Sequence, residues 1–573
     1  MKKQWLALLL TSAVWAADAD LILYHGKIVT VDAGFTVREA IAVRGERIIA
    51  VGSANDVLAA ERGARTRVID LQGRTVLPGL IDSHLHALGA GLSEFRGKLP
   101  AFDSFEAIQA YIRREAVRVP KGQWIVVPRT FPTRLRELAM PTRSVLDVVT
   151  THPVMFDASY VVVVNSLGLR MSGITRDTPN PPGGEIVHAP DGEPNGILKN
   201  AQSLLKGLDV TANFTEDEKL DALKQMLKRY VEAGLTTIGD GGVEAEDLRL
   251  YRRLHAAGRL PLRVTMTLWH DASKPLDQLR REIESVPEST GSGDDWLRFG
   301  AFKVNVDGGM TIGTAYQRTP YGKFGAQLYG KTDPRDRGQL FESPEKLLAI
   351  MRLARDRNWQ LTAHCQGGGA VDGFLDAMEA LDREKPLRPS RSHLIHASFQ
   401  SPAAIERMKR IGILADVQPA WLYLDSAALE KVFGSDGLRY FFPLRSYIDA
   451  GIVVAGGSDH MIGFDKNHAT NPYNPFLGMW TAVTRINTGG AVIHSEQKVT
   501  REEALKMYTI WGAYRQFAEG SRGSLEAGKL ADLVVIDRDY LTCPESEIRS
   551  IEPVLVMVGG RIVARPHGDA GMR

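Results

Sequence analysis

The sequence predicts an α/β protein: a (β/α)8 TIM barrel, a small β-sandwich domain built from both chain ends, and a large insertion after barrel strand 1. Three features of the 573 residues support this fold class. Eight short apolar runs alternate with helical stretches through the middle of the chain, and eight strands close such a barrel. Strand-like runs cluster at both ends, as in a small sheet domain. One connection between barrel strands is too long for an ordinary βα loop.

Residues 1–17 have the pattern of a secretory signal peptide. Two lysines precede an apolar run of thirteen residues from Trp5 to Ala17, and small residues lie near its end. We expect cleavage near Ala16 or Ala17 and a periplasmic or secreted protein. A helix needs ~20 apolar residues to cross a bilayer, so we expect no stable membrane span after cleavage.

Residues 18–76 and 520–573 are expected to form the composite β-sandwich domain. The first range contains β-branched runs separated by Gly, Asp and charged residues, namely DLILYHGKIVTV, EAIAVRGERIIAVG and RVIDLQGRTVLPG. The second range has the same pattern in ADLVVIDRD and PVLVMVGGRIVA. Such runs favour short strands joined by tight turns.

Residues 77–519 are expected to form the barrel. Its eight strand candidates are TVLPGLIDSHLH, LTTIGDGG, PLRVTMTLWH, LRFGAFKVNVDGG, WQLTAHC, SHLIHAS, GILADVQPA and GIVVAGGSDH. Stretches such as EDEKLDALKQMLKRYVEAG and SPEKLLAIMRLARDRN predict helices between them. From about residue 92 to 218 the sequence contains segments rich in Pro and Gly (TPNPPGGE, DGEPNG). We expect an insertion there, beside or over the barrel mouth, because long loops in compact domains are usually functional.

The composition limits the classes of function. Lys and Arg total 70 and Asp and Glu total 68, so the formal net charge is +2. No charge excess favours a nucleic acid partner, and none is expected. The 2 cysteines cannot form a disulfide scaffold or a multi-cysteine zinc site. Any bound metal must therefore be held by histidine and carboxylate side chains.

Ionisable residues end five of the strand candidates, at the face where barrel enzymes build their active sites. His84 and His86 end the first, where alternate side chains share a face and can reach one metal ion together. Strands four, five, six and eight end with Lys303, His364, His396 and Asp459. Each alone has a structural explanation, such as a core histidine or a helix cap. Their joint occurrence in barrel order predicts a metal site.

Several motifs together carry a resemblance over nearly the whole mature chain. They are LPGLIDSHLHALGAG, PPGGEI with DGEPNGIL, KVNVDGG, HCQGGGAVD, GSDH with NPFLGMWTAVTR, and GSLEAGKLADLVVID. With these motifs the chain resembles the amidohydrolase superfamily of metal-dependent hydrolases, and within it amidohydrolase family 3, the YtcJ-like proteins. The last motif is very specific to the sheet domain that flanks these barrels.

The resemblance implies a site with two divalent metal ions. It makes His84 and His86 ligands of the more buried ion, and His364 and His396 ligands of the second. It makes Lys303 a bridging carbamate formed with CO2, which turns a repelled ammonium into an anionic oxygen donor. Imidazole and carboxylate ligands favour zinc, although manganese, iron or cobalt would fit.

The implied reaction is hydrolysis of a C–N, amide-type bond of a small-molecule substrate. A metal-bridging hydroxide attacks the carbonyl, because coordination lowers the pKa of water to ~7. Asp459, a metal ligand as well, acts as the general base and acid that moves the proton to the departing amine.

Candidate substrate-binding residues lie partly where the chain departs from the family pattern. Many relatives read Asp-Gly-His where this chain has Asp157-Ala158-Ser159-Tyr160, so Ser159 or Tyr160 is expected to replace the histidine. Trp421, after strand seven, and His460, next to the strand-eight aspartate, are further candidates.

Two other departures lie next to the family's metal-ligand positions, one after His364 and one directly before His396, without replacing a ligand. Gln366-Gly367-Gly368-Gly369 stands where Gly-Asp is common, and Ile395 stands where Glu is frequent. We therefore expect metal binding to be kept and substrate preference to differ.

Two other functions stay open at this point. A mononuclear deaminase of a heterocycle uses the same histidines and aspartate but lacks the bridging lysine. A catalytically inactive relative would keep the barrel as a binding protein, although such proteins typically lose ligands. A homodimer is compatible with the sequence.

Overall fold

The structure is a computed structural model that describes residues 18–181, 183–208 and 214–565. The expected signal peptide, residues 1–17, lies outside the described residues. Within the described ranges, none of the helices combines the length and apolarity that crossing a membrane requires.

Two sheets built from both chain ends form the β-sandwich, which confirms this part of the predicted fold. The N-terminal strands are β1 (Leu21–Tyr24), β2 (Lys27–Val29), β3 (Val37–Arg38), β4 (Ala40–Arg44), β5 (Arg47–Gly52), β6 (Arg67–Asp70) and β7 (Thr75–Pro78). The C-terminal strands are β21 (Leu533–Ile536), β22 (Pro553–Val558) and β23 (Arg561–Ala564). One sheet has the order β5-β4-β1-β6, and the other β23-β22-β21-β7-β2-β3.

Strand β7 joins the two chain ends in one sheet. It pairs in parallel with β2 and antiparallel with β21, so the C-terminal segment completes a sheet that the N-terminal segment begins. The side chains of Ile41, Ile69 and Val535 meet in the buried core between the sheets. Helix α1 (Ala54–Glu61) packs on the smaller sheet.

Eight parallel strands form the barrel, in the order of the predicted runs. They are β8 (Leu80–Leu85), β14 (Leu235–Val243), β15 (Arg263–Trp269), β16 (Leu297–Asn305), β17 (Gln360–Cys365), β18 (His393–His396), β19 (Leu414–Val417) and β20 (Val454–Gly456). The segment after β20 meets the end of β8 through backbone hydrogen bonds from Asp459 N to His84 O (2.7 Å) and from His86 N to His460 O (2.8 Å). These bonds bring the last strand of the barrel back to the first.

Helices connect the barrel strands on the outside. They are α6 (Glu216–Glu232), α7 (Ala245–Ala256), α8 (Leu276–Ser285), α9 (Gly322–Tyr329), α10 (Pro344–Asp356), α11 (Gly368–Glu384), α12 (Pro402–Ile411), α13 (Pro419–Gly437), α14 (Leu444–Asp449), α15 (Pro475–Thr484), α16 (Arg501–Met507) and α17 (Ile510–Arg515). The nearby sequence sets the start of α6, because Thr215 and Glu218 form a reciprocal capping box there. Its apolar face, with Leu223 and Leu227, packs into the main core.

The long segment after barrel strand 1 carries a sheet of its own. Its strands are β9 (Ile125–Val127), β10 (Val154–Asp157), β11 (Val161–Val164), β12 (Glu185–His188) and β13 (Pro194–Lys199), in the order β12-β13-β11-β10-β9. Its helices are α2 (Ala87–Ser93), α3 (Phe105–Arg118), α4 (Arg143–Leu146) and α5 (Ser166–Ser172). Thr133 and Arg134 attach this inserted sheet to the barrel by hydrogen bonds to Asp425 of α13.

One predicted strand is divided in the structure. The run TVLPGLIDSHLH contains both β7 of the sandwich and β8 of the barrel. Gly79 separates them and lies so close to a neighbouring strand that a Cβ there would be 2.1 Å from Oγ1 of Thr236. The chain can change sheets there because glycine permits this close approach.

Candidate metal centre

His84, His86 and Asp459 bring three donor atoms together where the first and last barrel strands meet. Nε2 of His84 lies 3.3 Å from Oδ1 of Asp459, and Nε2 of His86 lies 3.2 Å from the same oxygen. Asp459 lies just beyond β20 with a φ of 53°. This conformation is uncommon for a residue with a side chain. Strained backbone of this kind is often found at functional sites.

His84 is the most enclosed of these residues. Its side chain is 0% exposed, and apart from the 3.3 Å contact of Nε2 with Asp459 neither ring nitrogen has a hydrogen-bond partner. Burial lowers the pKa of His84 well below its ordinary value, so the ring is neutral at neutral pH. A buried imidazole nitrogen without a hydrogen bond is costly unless another electrophile uses its lone pair. A bound cation would fill that role.

Two glycines of the second barrel strand leave the space that these histidines occupy. A Cβ at Gly241 would lie 1.9 Å from Cε1 of His84, and a Cβ at Gly242 would lie 2.7 Å from Nδ1 of His86. Both distances are below any real carbon contact. The glycine pair is therefore required by the two rings.

His364 and His396 form a second pair of donors. Nδ1 of His364 lies 2.9 Å from Nε2 of His396. The other ring nitrogens face oxygens: Nε2 of His364 is 3.1 Å from the carbonyl of Gly308, and Nδ1 of His396 is 2.8 Å from Oε1 of Gln418. A neutral imidazole has one N–H, and in one choice of tautomers each ring donates it to its oxygen. The inner nitrogens then face each other as lone pairs, an arrangement that a cation would stabilise.

The charge states in this region suit a cation. Burial lowers the pKa of His364 well below its ordinary value and that of His396 to about 4, so both rings are neutral. Burial alone would raise the pKa of Asp459. The hydrogen bonds from His84 and His86 outweigh it, and the pKa lies well below the ordinary value. The carboxylate is therefore ionised, as a metal ligand must be.

Lys303 lies in β16 and faces the same cavity. The residue is buried, and this burial lowers its pKa to about 8 although Asp459 acts in the opposite direction. An amine with this pKa has a substantial neutral fraction near neutral pH. Only a neutral amine can react with CO2, so the surroundings of Lys303 are compatible with a carbamate.

These observations identify the residues that could hold metal ions. The ring centroids of His84 and His396 are 5.5 Å apart, so the first group of donors is continuous with the second. The donor set, imidazole nitrogen with carboxylate oxygen, suits divalent transition metals. Among the described residues, His84, His86 and Asp459 form a group that could hold one cation, and His364 and His396 add two imidazole donors beside it.

A cavity of about 380 Å³ opens above these side chains. Its floor includes His86, Lys303, His364, His396 and Asp459. The inserted segment contributes Arg129, Phe131, Arg134, Ser159 and Tyr160 to its walls. The cavity therefore has the size of a small-molecule site and is formed jointly by barrel and insertion.

Three of the predicted substrate-binding residues line this cavity: Ser159, Tyr160 and Trp421. The Tyr160 ring is 5.9 Å from the His364 ring, and its hydroxyl accepts a 2.6 Å hydrogen bond from Asn305. Trp421 stacks on His396 at a centroid distance of 5.0 Å. Both aromatic side chains therefore lie beside the donors of the second group.

The structure places His460 elsewhere, contrary to the expected substrate contact. It is 0% exposed and does not line the cavity. Its Nδ1 lies 2.8 Å from the hydroxyl of Tyr230, and its Nε2 lies 2.7 Å from the carbonyl of Gly463. Both ring nitrogens are thus occupied within the protein, and His460 supports the loop after β20.

The two other departures from the family pattern have local explanations. Gln366 N and Gly367 N donate to Asp307 at 3.0 and 2.8 Å, and a Cβ at Gly368 would lie 2.4 Å from the guanidinium of Arg318. Ile395 is fully buried between neighbouring barrel strands. Of these residues, Gln366 lines the cavity, whereas Ile395 does not.

Sequence reasoning did not identify several residues that support the donors. Gln418, next to strand seven, orients His396, and Asn305, two residues after Lys303, contacts Tyr160. Asn305 has a signal in the sequence, because alternate residues of a strand share a face. Arg129 and Asn471 have none, since they come from segments remote in sequence from the strand ends.

Comparison with known proteins places the chain in a family. The model of the amidohydrolase family matches residues 67–564. The chain is 32% identical to the N-substituted formamide deformylase of Arthrobacter pascens over 555 residues, which cover 94% of this chain and 97% of that protein. It is 28% identical to the putative amidohydrolase YtcJ of Bacillus subtilis (strain 168), covering 92% and 96% of the two chains.

A solved structure shows the same fold. An uncharacterized metal-dependent hydrolase from Pyrococcus horikoshii OT3 superposes with a TM-score of 0.67 and 22% sequence identity, covering 92% of this chain and 99% of that chain. With the family match over most of its length, the chain belongs to the amidohydrolase family and is a hydrolase of that family.

Proposed function

We propose that this protein hydrolyses the C–N bond of a small N-acylated amine. The observation that carries the proposal is the convergence of His86, His364, His396, Lys303 and Asp459 at the floor of one cavity, with His84 buried directly beside them. The cavity of about 380 Å³ lies in the range for small-molecule ligands, which favours a small amide.

The proposed cofactor is a pair of divalent cations, with zinc the first candidate. His84 and His86 would hold one, His364 and His396 the other, and Lys303 would bridge them as a carbamate. Bound there, the cations would supply a water of lowered pKa and an electrophile for the amide carbonyl. The 2.9 Å contact between ring nitrogens of His364 and His396 and the unpaired Nδ1 of His84 support this assignment.

Asp459 is the proposed general base and acid. Its carboxylate is ionised and lies at the cavity floor, so it can accept a proton from the attacking water. The water oxygen bonds to the carbonyl carbon, the C–N bond breaks, and the same proton goes from Asp459 to the departing nitrogen. The products are a carboxylic acid and an amine.

The first substrates to test are N-substituted formamides. The relative from Arthrobacter pascens acts on this class by its name, and it matches 94% of this chain. The walls above the floor include Phe131, Trp421 and Ile312, which could pack against an apolar substituent on the nitrogen. Formyl groups require the least space beside the floor residues.

Lys303 favours this proposal over a mononuclear deaminase. It is buried and lines the cavity, where one metal ion would leave it without a role. One metal per chain, together with an unmodified Lys303, would favour the deaminase.

We also propose that the protein is exported to the periplasm or secreted. Expressing the chain with residues 1–17 and sequencing the N-terminus of the product would test whether this leader is removed.

The test is hydrolysis by the zinc- or manganese-loaded protein. N-Substituted formamides, N-acyl amino acids and cyclic imides are supplied, and released amine is measured, with metal content determined on the same sample. We expect turnover of at least one amide class and loss of that turnover in Asp459→Asn. Full metal loading without turnover across the panel would contradict the proposal and favour an inactive binding protein.

A further inference from the structure

Arg129 is a cation of the cavity wall that comes from the inserted segment. It follows β9, and its side chain, 30% exposed, lines the same cavity as Tyr160 and Asp459. An arginine placed over a reaction site needs partners for its donors, because a guanidinium has five N–H groups and no acceptor. The partners of Arg129 therefore indicate what it is positioned to bind.

The protein satisfies only part of this guanidinium. Nη1 donates to Sδ of Met461 at 3.3 Å, and thioether sulfur is a weak acceptor. Nη2 meets a single oxygen, Oδ2 of Asp157, at 3.2 Å. The other oxygen, Oδ1, accepts from the backbone N of Ser159 at 2.6 Å. Nε of Arg129 is buried and has no hydrogen-bond partner.

The second arginine of the wall makes the contrast clear. Arg134 donates to both carboxylate oxygens of Asp425 at 2.9 and 2.7 Å and to Oδ1 of Asn471 at 3.1 Å. Its donors are used within the protein. Among the arginines that the structure places around this cavity, Arg129 is the one with donors left for a ligand.

The charge around Arg129 suits an anionic oxygen group. Asp157 contacts it through one oxygen only, so the fork of the guanidinium is not paired with a carboxylate in the bidentate way that it favours. Two carboxylates line the cavity itself: Glu244, which is exposed at the start of α7, and Asp459 at the floor. A ligand carboxylate in the cavity would accept from the Nη1 and Nη2 hydrogens that Met461 and Asp157 do not use, and charge-assisted hydrogen bonds of this kind are strong.

We propose that Arg129 binds a carboxylate of the substrate, so that the preferred substrates are N-formyl or N-acyl amino acids. This inference rests on the proposed amide hydrolysis and specifies its substrate class. The scissile amide lies at the floor donors, the carboxylate reaches Arg129, and the amino acid side chain packs against apolar wall residues such as Phe131 and Trp421.

The test compares two substrates that differ only by the carboxylate. They are N-formylphenylalanine, as both enantiomers, and N-(2-phenylethyl)formamide, each with the metal-loaded full chain. We expect kcat/KM for one enantiomer to exceed that of the neutral formamide by about 10-fold or more. In Arg129→Met this ratio should fall by about 10- to 100-fold, mainly through a higher KM for the carboxylate substrate.

A matched variant controls for lost surface charge. Arg136→Met removes an exposed arginine of the same segment that does not line the cavity, and the substrate ratio should stay unchanged. If Arg129→Met fails to fold, Arg129→Gln is used instead. The ratio of kcat/KM between the two substrates in the wild-type protein also tests the inference without any variant. Equal or better hydrolysis of the neutral formamide, or a ratio that Arg129→Met does not change, overturns the inference.

A binding measurement separates this inference from the proposed reaction. Calorimetry with phenylalanine and with 2-phenylethylamine measures the carboxylate contact without turnover. If neither formamide is hydrolysed, the proposed function fails, while tighter binding of phenylalanine that is lost in Arg129→Met still supports the carboxylate site. Equal Kd values for the two amines would refute it.

Discussion

Nδ2 of Asn471 donates a 2.8 Å hydrogen bond to the backbone carbonyl of Asp459 and lies 3.4 Å from its Oδ2. Asn471 thus contacts both the main chain and the carboxylate of a residue whose φ is 53°. Oδ1 of Asn471 accepts from Arg134, which belongs to the inserted segment. The position of Asp459 therefore depends on contacts that reach from the insertion to the end of the barrel.

Replacing Asn471 by alanine should lower kcat by about 10- to 100-fold, with a smaller change in KM. The reason is that Asp459 would keep its charge but lose the group that holds its left-handed backbone in place. Steady-state kinetics on the metal-loaded variant measure this split. Asn467→Ala, in the exposed part of the same loop, is the control, and wild-type kcat in Asn471→Ala would contradict the positioning role.

Metal content should follow the two groups of donors. We expect about two zinc equivalents in the wild type and about one in His364→Asn. Lys303→Ala should reduce turnover by more than about 100-fold, because in the proposed centre both ions would lose a shared ligand. Elemental analysis measures the zinc content of each variant, and activity assays on the same samples measure its turnover. Near-normal turnover in Lys303→Ala would refute the bridging role.

A methyl group at Gly241 should disrupt the centre from the second barrel strand. Its Cβ would lie 1.9 Å from the ring of His84, which has no room to move. We expect Gly241→Ala to weaken metal affinity by about 10-fold or more, measured by competition with a chelator. Gly373→Ala is the control: its Cβ meets no atom within 4 Å, and in a helix it should stabilise the protein by about 0.5–1 kcal/mol. Unchanged affinity in Gly241→Ala would show that the rings do not need this space.

His393 should make the protein less stable in acid. It is fully buried, both ring nitrogens lack partners, and burial with the nearby charge of Arg515 holds its pKa well below the ordinary value. The unfolded chain binds a proton near pH 6.5 and the folded chain does not. The stability is therefore complete above about pH 6.5 and is lost as the pH falls below it.

At pH 5 this loss amounts to about 2 kcal/mol for one histidine. His393→Met should reduce the difference in unfolding free energy between pH 8 and pH 5 by about that amount, as measured by denaturant titration. His468→Met is the control, since the His468 side chain is 82% exposed. Equal pH dependence in the wild type and His393→Met would show that His393 does not contribute.

The barrel and the position of most donors could be read from strand ends. In a parallel barrel the carboxyl ends of all strands lie at one face, so polar residues that end apolar runs come together whatever the loops do. Lys303, His364, His396 and Asp459 meet at the cavity floor for this reason, and His84 lies buried beside them. His460 shows the limit of the method: the chain turns directly after β20, and alternation no longer tells where a side chain points.

The residues that hold and surround the donors could not be read in this way. Gln418 directly follows β19, but Asn471 ends no strand, and Arg129 reaches the cavity from a sheet inserted far from the barrel strand ends. Their roles depend on distances between segments that are remote in sequence. Local propensity carries no information about such contacts.

The sequence by itself determined the fold class and the chemical type of the donors, because hydrophobic periodicity and the direction of parallel strands are local properties that survive without coordinates. Only the tertiary structure decided which side chains surround them: that Gly241 leaves space for His84, that Asn471 holds Asp459, and that Arg129 lines the cavity with a partly paired guanidinium. The physical reason is that packing and hydrogen bonding depend on separations of a few ångströms between distant segments. Those separations are set when the insertion docks on the barrel.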